Sequence, residues 1–173
     1  MTVIVGIANG TNVYIGGDRG VSDDETILSL YRPKVHINNG WLFGYSGSLG
    51  IGQLMELIDM PEVDKDTDVY RVLRTDVVTH MRNAIDLYSV SNAETASDFL
   101  VGINGRLFEM NTADWSVAEI EETSIGSGSS YALGSLYTTK EFPAGPEYRI
   151  NLAIESAIRY SPSCQGGVDV LHT

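Results

Sequence analysis

The stretch Met1–Gly20, MTVIVGIANGTNVYIGGDRG, decides how the rest of the chain is read. Two apolar, β-prone runs, Val3 to Ala8 and Asn12 to Gly17, flank Asn9-Gly10, and an Asn-Gly pair between such runs is the strongest short-range hairpin signal. A two-residue turn pairs residues whose numbers sum to nineteen, setting Thr2 opposite Gly17 and beside Asp18. Strict pleating puts Asp18 on the face opposite Thr2. Their approach therefore requires a bulge, a longer turn or an end-of-strand bend, for which Gly16-Gly17 is a suitable place.

The same signal returns twice. Lys34 to Asn38 and Trp41 to Tyr45 flank Asn39-Gly40, and Phe99 to Ile103 and Arg106 to Met110 flank Asn104-Gly105. In the second hairpin the pairs sum to seventy-nine, so Lys34 faces Tyr45 and sits between Gly44 and Ser46 of GYSGSLG. Small residues of this kind either form the loop before a helix or expose backbone N–H groups to a ligand. Between the second and third hairpins Leu54, Leu57 and Ile58, then Val69, Leu73, Val77, Met81 and Ile85, recur at helical spacing, which predicts two helices separated by Pro61. A strand over Val117 to Glu121 precedes SIGSGSS. Helices follow over Tyr131 to Thr139 and Tyr148 to Tyr160, the latter with Ile150, Ile154, Ala157 and Ile158 on one face, and Val168 to Leu171 reads as a last strand. This order predicts one α+β domain over residues 1–173, with antiparallel sheets covered by helix pairs.

Bulk properties narrow the function. With 11 Lys and Arg against 23 Asp and Glu, the formal charge is -12, which argues against a phosphate backbone or an anionic lipid surface as partner. Cys164 is the single cysteine, so no intrachain disulfide forms and a reducing compartment is expected. The first residues lack the pattern of a signal peptide, and no segment approaches the ~20 apolar residues of a membrane span. A cytoplasmic protein without nucleic-acid or membrane partners is the expectation.

Thr2 gives the chain its chemical interest. Removal of Met1, which a small second residue permits, would leave a threonine whose own α-amine, with a pKa of about 7.7 to 8.0, can take the proton from the hydroxyl. A cationic Lys34 nearby disfavours the ammonium form of that amine, and Asp18 holds the lysine in place. Other nucleophiles are poorly supplied. Only His36, His80 and His172 are available for a Ser-His-Asp arrangement, and no GxSxG elbow is present. His36 shares a strand face with Lys34 by alternation, so it either lines the same pocket or is a partly exposed strand residue. Cys164 has no flanking histidine and reads as a small packing residue.

With Thr2, GGDRG at Gly16 to Gly20, PKV at Pro33 to Val35, FGYSG at Phe43 to Gly47 and IGSGSSYALG at Ile125 to Gly134, the chain resembles proteasome β subunits, in length closest to HslV. The resemblance implies a four-layer αββα N-terminal nucleophile hydrolase sandwich, two antiparallel sheets between helical layers. It implies Thr2 as nucleophile, Asp18 and Lys34 as its charge pair, Gly44 as the oxyanion-hole glycine and Ser127 as the serine that orients the terminal amine. Val21, Arg32, Leu42 and Ser46 fall where the family lines the pocket for the residue before the scissile bond. The late YSPSCQGGVDV departs from the proteasome pattern, with Pro162 and Gln165 where an Asp and a Ser are usual. Family members also bind a structural cation through backbone carbonyls near this loop, residues 160–166 here, and need no other cofactor.

By the same resemblance the function is that of a threonine-type endopeptidase, working in a homo-oligomeric ring or double ring on unfolded polypeptide supplied by an AAA+ ATPase unfoldase. Two rival readings share the fold: a catalytically inactive structural ring subunit, and a small-amide or acyl hydrolase.

Overall fold

The computed structural model describes residues 2–22, 26–88 and 96–173, without the side chains of Ser22 and Ile27. Its first hairpin joins β1 (Ile4–Ala8) to β2 (Val13–Asp18) through a connection two residues longer than expected. The side-chain oxygen of Asn9 accepts the N–H groups of Thr11 at 3.1 Å and Asn12 at 2.8 Å, and Asn9 N donates to Asn12 O at 3.1 Å. Asparagine thus closes a wider turn with its own side chain in place of the tight one. The register becomes Ile4 opposite Gly17 and Ala8 opposite Val13, a sum of twenty-one. This corrects the expected pairing of Thr2 with Gly17. A slip of two leaves each side chain on its face, and it sets Asp18 level with Val3, to whose carbonyl Asp18 N donates at 3.2 Å.

The other two hairpins form as read. Asn39 and Gly40 have φ of 48° and 81°, and Asn104 and Gly105 of 50° and 73°, the paired left-handed residues that a type I′ turn requires. They connect β5 (Val35–Asn38) with β6 (Trp41–Gly47), register Val35 to Gly44, and β7 (Ser97–Ile103) with β8 (Arg106–Asn111), register Ile103 to Arg106. Three short strands escaped the sequence reading: β3 (Gly20–Ser22), β4 (Ile27–Ser29) and β10 (Glu122–Ile125). The chain passes from β9 (Val117–Ile120) to β10 through a bend at Glu121, and the two strands belong to different sheets. With β11 (Val168–His172), the sheets have the orders β10-β1-β2-β11 and β5-β6-β7-β8-β9, each pair antiparallel, and β3-β4 forms a separate ribbon.

Helices cover both outer faces. The short α1 (Leu49–Leu54) is capped by the Ser48 hydroxyl, and α2 (Val69–Val72) by Asp68, which accepts from Arg71 N at 3.1 Å. A π-helical turn, Leu73–Val77, carries α2 into α3 (Val78–Leu87). On this side Leu73, Val77, Met81 and Ile85 pack on Trp41, Phe43, Tyr45, Phe99 and Phe108 of the five-stranded sheet. On the other side α4 (Ser129–Thr138) and α5 (Pro146–Tyr160) set Ala132, Leu136, Ile150, Ile154 and Ala157 against Val3, Val5 and Ile7. The third cluster, with Ile4, Val13, Ile15, Leu42, Leu100 and Leu107, fills the space between the sheets. The result is the expected αββα sandwich. Among the described residues no helix is long and apolar enough to cross a membrane.

Strand β6 presents a different environment on each of its faces. Its odd residues Trp41, Phe43 and Tyr45 face the helices and its even residue Leu42 faces the opposite sheet. Gly44 lies on that inner face, where an added Cβ would stand 2.5 Å from Ile4 Cγ2 and 2.8 Å from Ile15 Cγ2. Gly44→Ala is therefore expected to cost about 1–3 kcal/mol through overpacking, read as a lower denaturant midpoint with an unchanged m-value.

Candidate active site

At one end of the sandwich the start of β1, the end of β2 and the approach to β5 converge, and with them Thr2, Asp18 and Lys34. All three are buried, at 5%, 0% and 2% exposure. Lys34 Nζ donates to Thr2 Oγ1 at 2.6 Å, to Asp18 Oδ1 at 2.9 Å and to the carbonyl of Gly20, which uses all three ammonium hydrogens. Burial pulls the Lys34 pKa below its ordinary value, and the adjacent Asp18 charge opposes that pull. The carboxylate is as fully engaged: beside Lys34, Oδ1 accepts from Val3 N at 3.0 Å, and Oδ2 accepts from Gly20 N at 3.0 Å and Gln165 N at 3.1 Å. Ser127 completes the group. Thr2 N donates to Ser127 Oγ at 3.2 Å, and the Thr2 carbonyl accepts from Gly128 N at 3.2 Å, at the start of α4.

The late loop contributes through its main chain. Gln165 supplies its N–H to Asp18, while the Ser161 and Ser163 hydroxyls bond to each other at 3.2 Å. Cys164 is 3% exposed and packs with Val3 and Ala157, and burial raises its thiol pKa, which suits the packing role read for it. Within residues 160–166 the described hydrogen bonds come from hydroxyl and N–H groups, and the Ser161 carbonyl accepts from Cys164 N at 3.4 Å.

Four other expectations meet a different geometry. Gly44 sits in the middle of β6, with Val35 opposite it on β5 and Leu100 on β7, so its amide is part of the sheet and does not face Thr2. Leu42 is 0% exposed inside the core between the sheets and lines no open pocket. Ser46, four residues on from Leu42, lies on that same inner face, away from Arg32. Arg32 itself is exposed and ion-paired with Glu56 at 2.8 Å, so it presents no bare positive charge. Val21, half-buried on β3 next to Gly20, stays near the group, since Gly20 touches both Lys34 and Asp18.

Two positions beside Lys34 were missed, and both were within reach of the register. Tyr45 N donates to Lys34 O at 3.3 Å, so odd residues of β6 point their amides toward β5, away from β7. At Gly47 β5 has not yet begun. Its N–H therefore faces the open side on which Lys34 reaches Thr2, its φ is 106°, and no carbonyl of the described residues accepts from it. The second position is Tyr45, whose ring lies 6.4 Å from that of His36 on the helix-facing side. His36 stacks obliquely on Phe43 at 5.4 Å, and among the described residues neither ring nitrogen has a partner. Burial, with the Arg32 charge second, lowers its pKa to about 4, and burial raises the Tyr45 phenol to about 12. Both side chains are thus neutral at pH 7.

No family model matches the chain, and no curated protein sequence matches it. Solved structures do. BPH from Thiobacillus denitrificans, in complex with epoxomicin, superposes with a TM-score of 0.83 at 19% identity, covering 99% of this chain and 98% of that one. Eukaryotic HslV from Trypanosoma brucei gives 0.71 at 16% identity over 99% and 98%, and an Anbu Gly-1 mutant from Hyphomicrobium sp. strain MC1 gives 0.74 at 17% over 98% and 80%. 

The unpartnered His36 makes stability pH-dependent. Its folded pKa of about 4 lies below the unfolded 6.5, so the unfolded chain gains the proton first and stability falls as pH drops through that window. The stability lost in this way is about 2 kcal/mol at pH 5. Thermal melts of the wild type and His36→Phe at pH 7 and pH 5 are expected to show a smaller acid shift in the variant; equal shifts would contradict this assignment.

Taken with the αββα layers and the Thr2, Asp18 and Lys34 cluster, these superpositions give the chain the fold of the HslV, BPH and Anbu proteins, the proteasome β-type N-terminal nucleophile hydrolase fold.

Proposed function

We propose that this chain is the subunit of a threonine-type endopeptidase in which Thr2, exposed by removal of Met1, is the nucleophile. The observation that carries the reading is the bridge formed by Lys34 Nζ between Thr2 Oγ1 and Asp18, all three of them buried. A structural threonine has no need of a desolvated, charge-paired ammonium on its hydroxyl, since such a pair is costly to bury.

In the proposed reaction the freed α-amine takes the Thr2 hydroxyl proton as Oγ1 bonds to the substrate carbonyl carbon. Lys34 stabilises the developing alkoxide, and Ser127 holds the amine in place. Gly47 takes the part expected of Gly44: its free N–H donates to the oxyanion. The ammonium then passes its proton to the leaving nitrogen as the C–N bond breaks, which leaves an ester on Thr2. Water, its proton taken by the amine, attacks that ester, and the C–O bond breaks with return of a proton to Oγ1. Val21 and the His36–Tyr45 wall flank the bound residue beside Lys34, with Arg32 and Glu56 at its outer edge.

Residues 1–173 are read as one domain working in a homo-oligomeric ring or double ring in the cytoplasm, fed with unfolded polypeptide by an AAA+ ATPase unfoldase. The HslV-like fold supports this reading, and native mass together with co-purification of an ATPase tests it.

The decisive measurement is intact mass before and after incubation with epoxomicin, the compound bound by one fold neighbour. Loss of Met1 and one adduct per subunit, absent in Thr2→Ala, are expected. Fully processed protein that forms no adduct and cuts no peptide would instead be a structural subunit, and turnover of small amides without peptides would mark an acyl hydrolase. Lys34→Ala is expected to lower kcat by about 10²–10⁴ with its Met1 still removed. For the wild type, kcat/KM should rise with pH as the α-amine loses its proton, with a midpoint at or below about 7.7.

A further inference from the structure

The inner face of the five-stranded sheet carries a polar row that the proposed reaction leaves unused. Register sets Ser46 opposite Asp98, and Asp98 opposite Asn111, across three adjacent strands. Glu109 is two residues from Asn111 and shares its face. These positions continue the side of β6, β7 and β8 on which Leu42, Leu100 and Leu107 meet the other sheet, so the row begins where the apolar core ends. Gly126 ties it to the nucleophile, because a Cβ there would run into both Ser46 Oγ and the Thr2 carbonyl.

The row is short of a cation. Ser46 is 7% exposed, and its hydroxyl has no hydrogen-bond partner among the described residues. Asp98 Oδ1 accepts from Asn111 Nδ2 at 2.5 Å, and Glu109 Oε2 accepts from Thr123 Oγ1 at 3.3 Å. Among the described residues the second oxygen of each carboxylate has no partner and neither carboxylate forms an ion pair. Burial and the neighbouring Asp98 charge raise the pKa of Glu109, as expected for half-buried carboxylates without a counter-ion. Two carboxylates and a hydroxyl are fewer oxygens than a divalent-ion cage needs, but they match the donors of an ammonium or guanidinium group.

We propose that Ser46, Asp98 and Glu109 form a subsite for a lysine or arginine side chain of the polypeptide substrate, with Asn111 as the residue that positions Asp98. Ser46 adjoins Thr2, and Asp98 is one strand spacing of about 4.8 Å further on. At about 3.3 Å per extended residue, the side chain held there belongs to a residue about two or three positions from the bond that is cut. The subsite rests on the peptidase reading of Thr2.

The test uses the processed full-length chain and internally quenched peptides on one scaffold, with Lys, Ala or Glu at each of three positions on either side of the cleaved bond. At one position Lys is expected to exceed Ala about tenfold in kcat/KM, with Glu poorest. In Asp98→Asn that ratio should collapse to about one, and Asp98→Glu should restore part of it. Because the ratio is taken within each variant, a general loss of folding or activity cancels. A ratio near one at every position, in wild-type protein that cleaves the Ala scaffold, overturns the subsite and leaves the peptidase reading standing. Failure to cleave any scaffold peptide overturns the peptidase reading. The subsite is then decided by equilibrium binding of the Lys and Ala peptides to Thr2→Ala, where equal affinities reject it and a salt-sensitive preference of about tenfold for Lys supports it.

Discussion

Everything at the functional end of this molecule depends on one buried ion pair, Lys34 with Asp18. Two charges taken out of water are expensive, and their mutual attraction offsets that cost only when the remaining donors and acceptors are also satisfied. Here they are satisfied by backbone from three separate places: Val3 at the start of β1, Gly20 just past β2, and Gln165 before β11. The pair therefore fixes the relative positions of segments far apart in sequence. The Thr2 hydroxyl completes the set by accepting from Lys34 Nζ at 2.6 Å.

Strand β6 divides the surroundings of that pair into two chemically distinct sides. Of the residues facing the helix layer, Tyr45 and His36 from β5 form a neutral aromatic pair near the Arg32–Glu56 ion pair. Those facing the opposite sheet pass from Leu42 and Gly44 in the core to Ser46 at the rim, where Asp98 and Glu109 supply negative charge. Gly47 ends the strand between the two sides, its amide without an acceptor among the described residues.

Much of this was legible in the residues themselves. The Asn-Gly pairs at 39–40 and 104–105 fixed their hairpins in register, because two left-handed residues in succession admit essentially one turn geometry. Asn9-Gly10 carried the same signal and produced a longer turn, since the Asn9 side chain competed for the N–H groups of Thr11 and Asn12. The strands β3, β4 and β10 are too short to show a period, and the change of sheet at Glu121 has no local signature. In the site, Thr2, Asp18, Lys34 and Ser127 meet as the motifs suggested. Gly44 and Leu42 were misplaced although their register was already known, because alternation alone sends their side chains to the core and only the ends of neighbouring strands reveal which amide is free.

The sequence by itself determined the order of elements, two of the three hairpin registers and the residue types for an amine-activated threonine, because turn chemistry and side-chain period are local properties. Tertiary structure decided which atoms face one another. The Asp18 carboxylate, the Lys34 ammonium and the Thr2 hydroxyl converge because two sheets and a loop some 147 positions away in sequence from Asp18 are packed together. The unpaired amide of Gly47 and the cation-poor row from Ser46 to Glu109 exist only where neighbouring strands stop, and where a strand stops is settled by packing between layers rather than by the residues of any one strand.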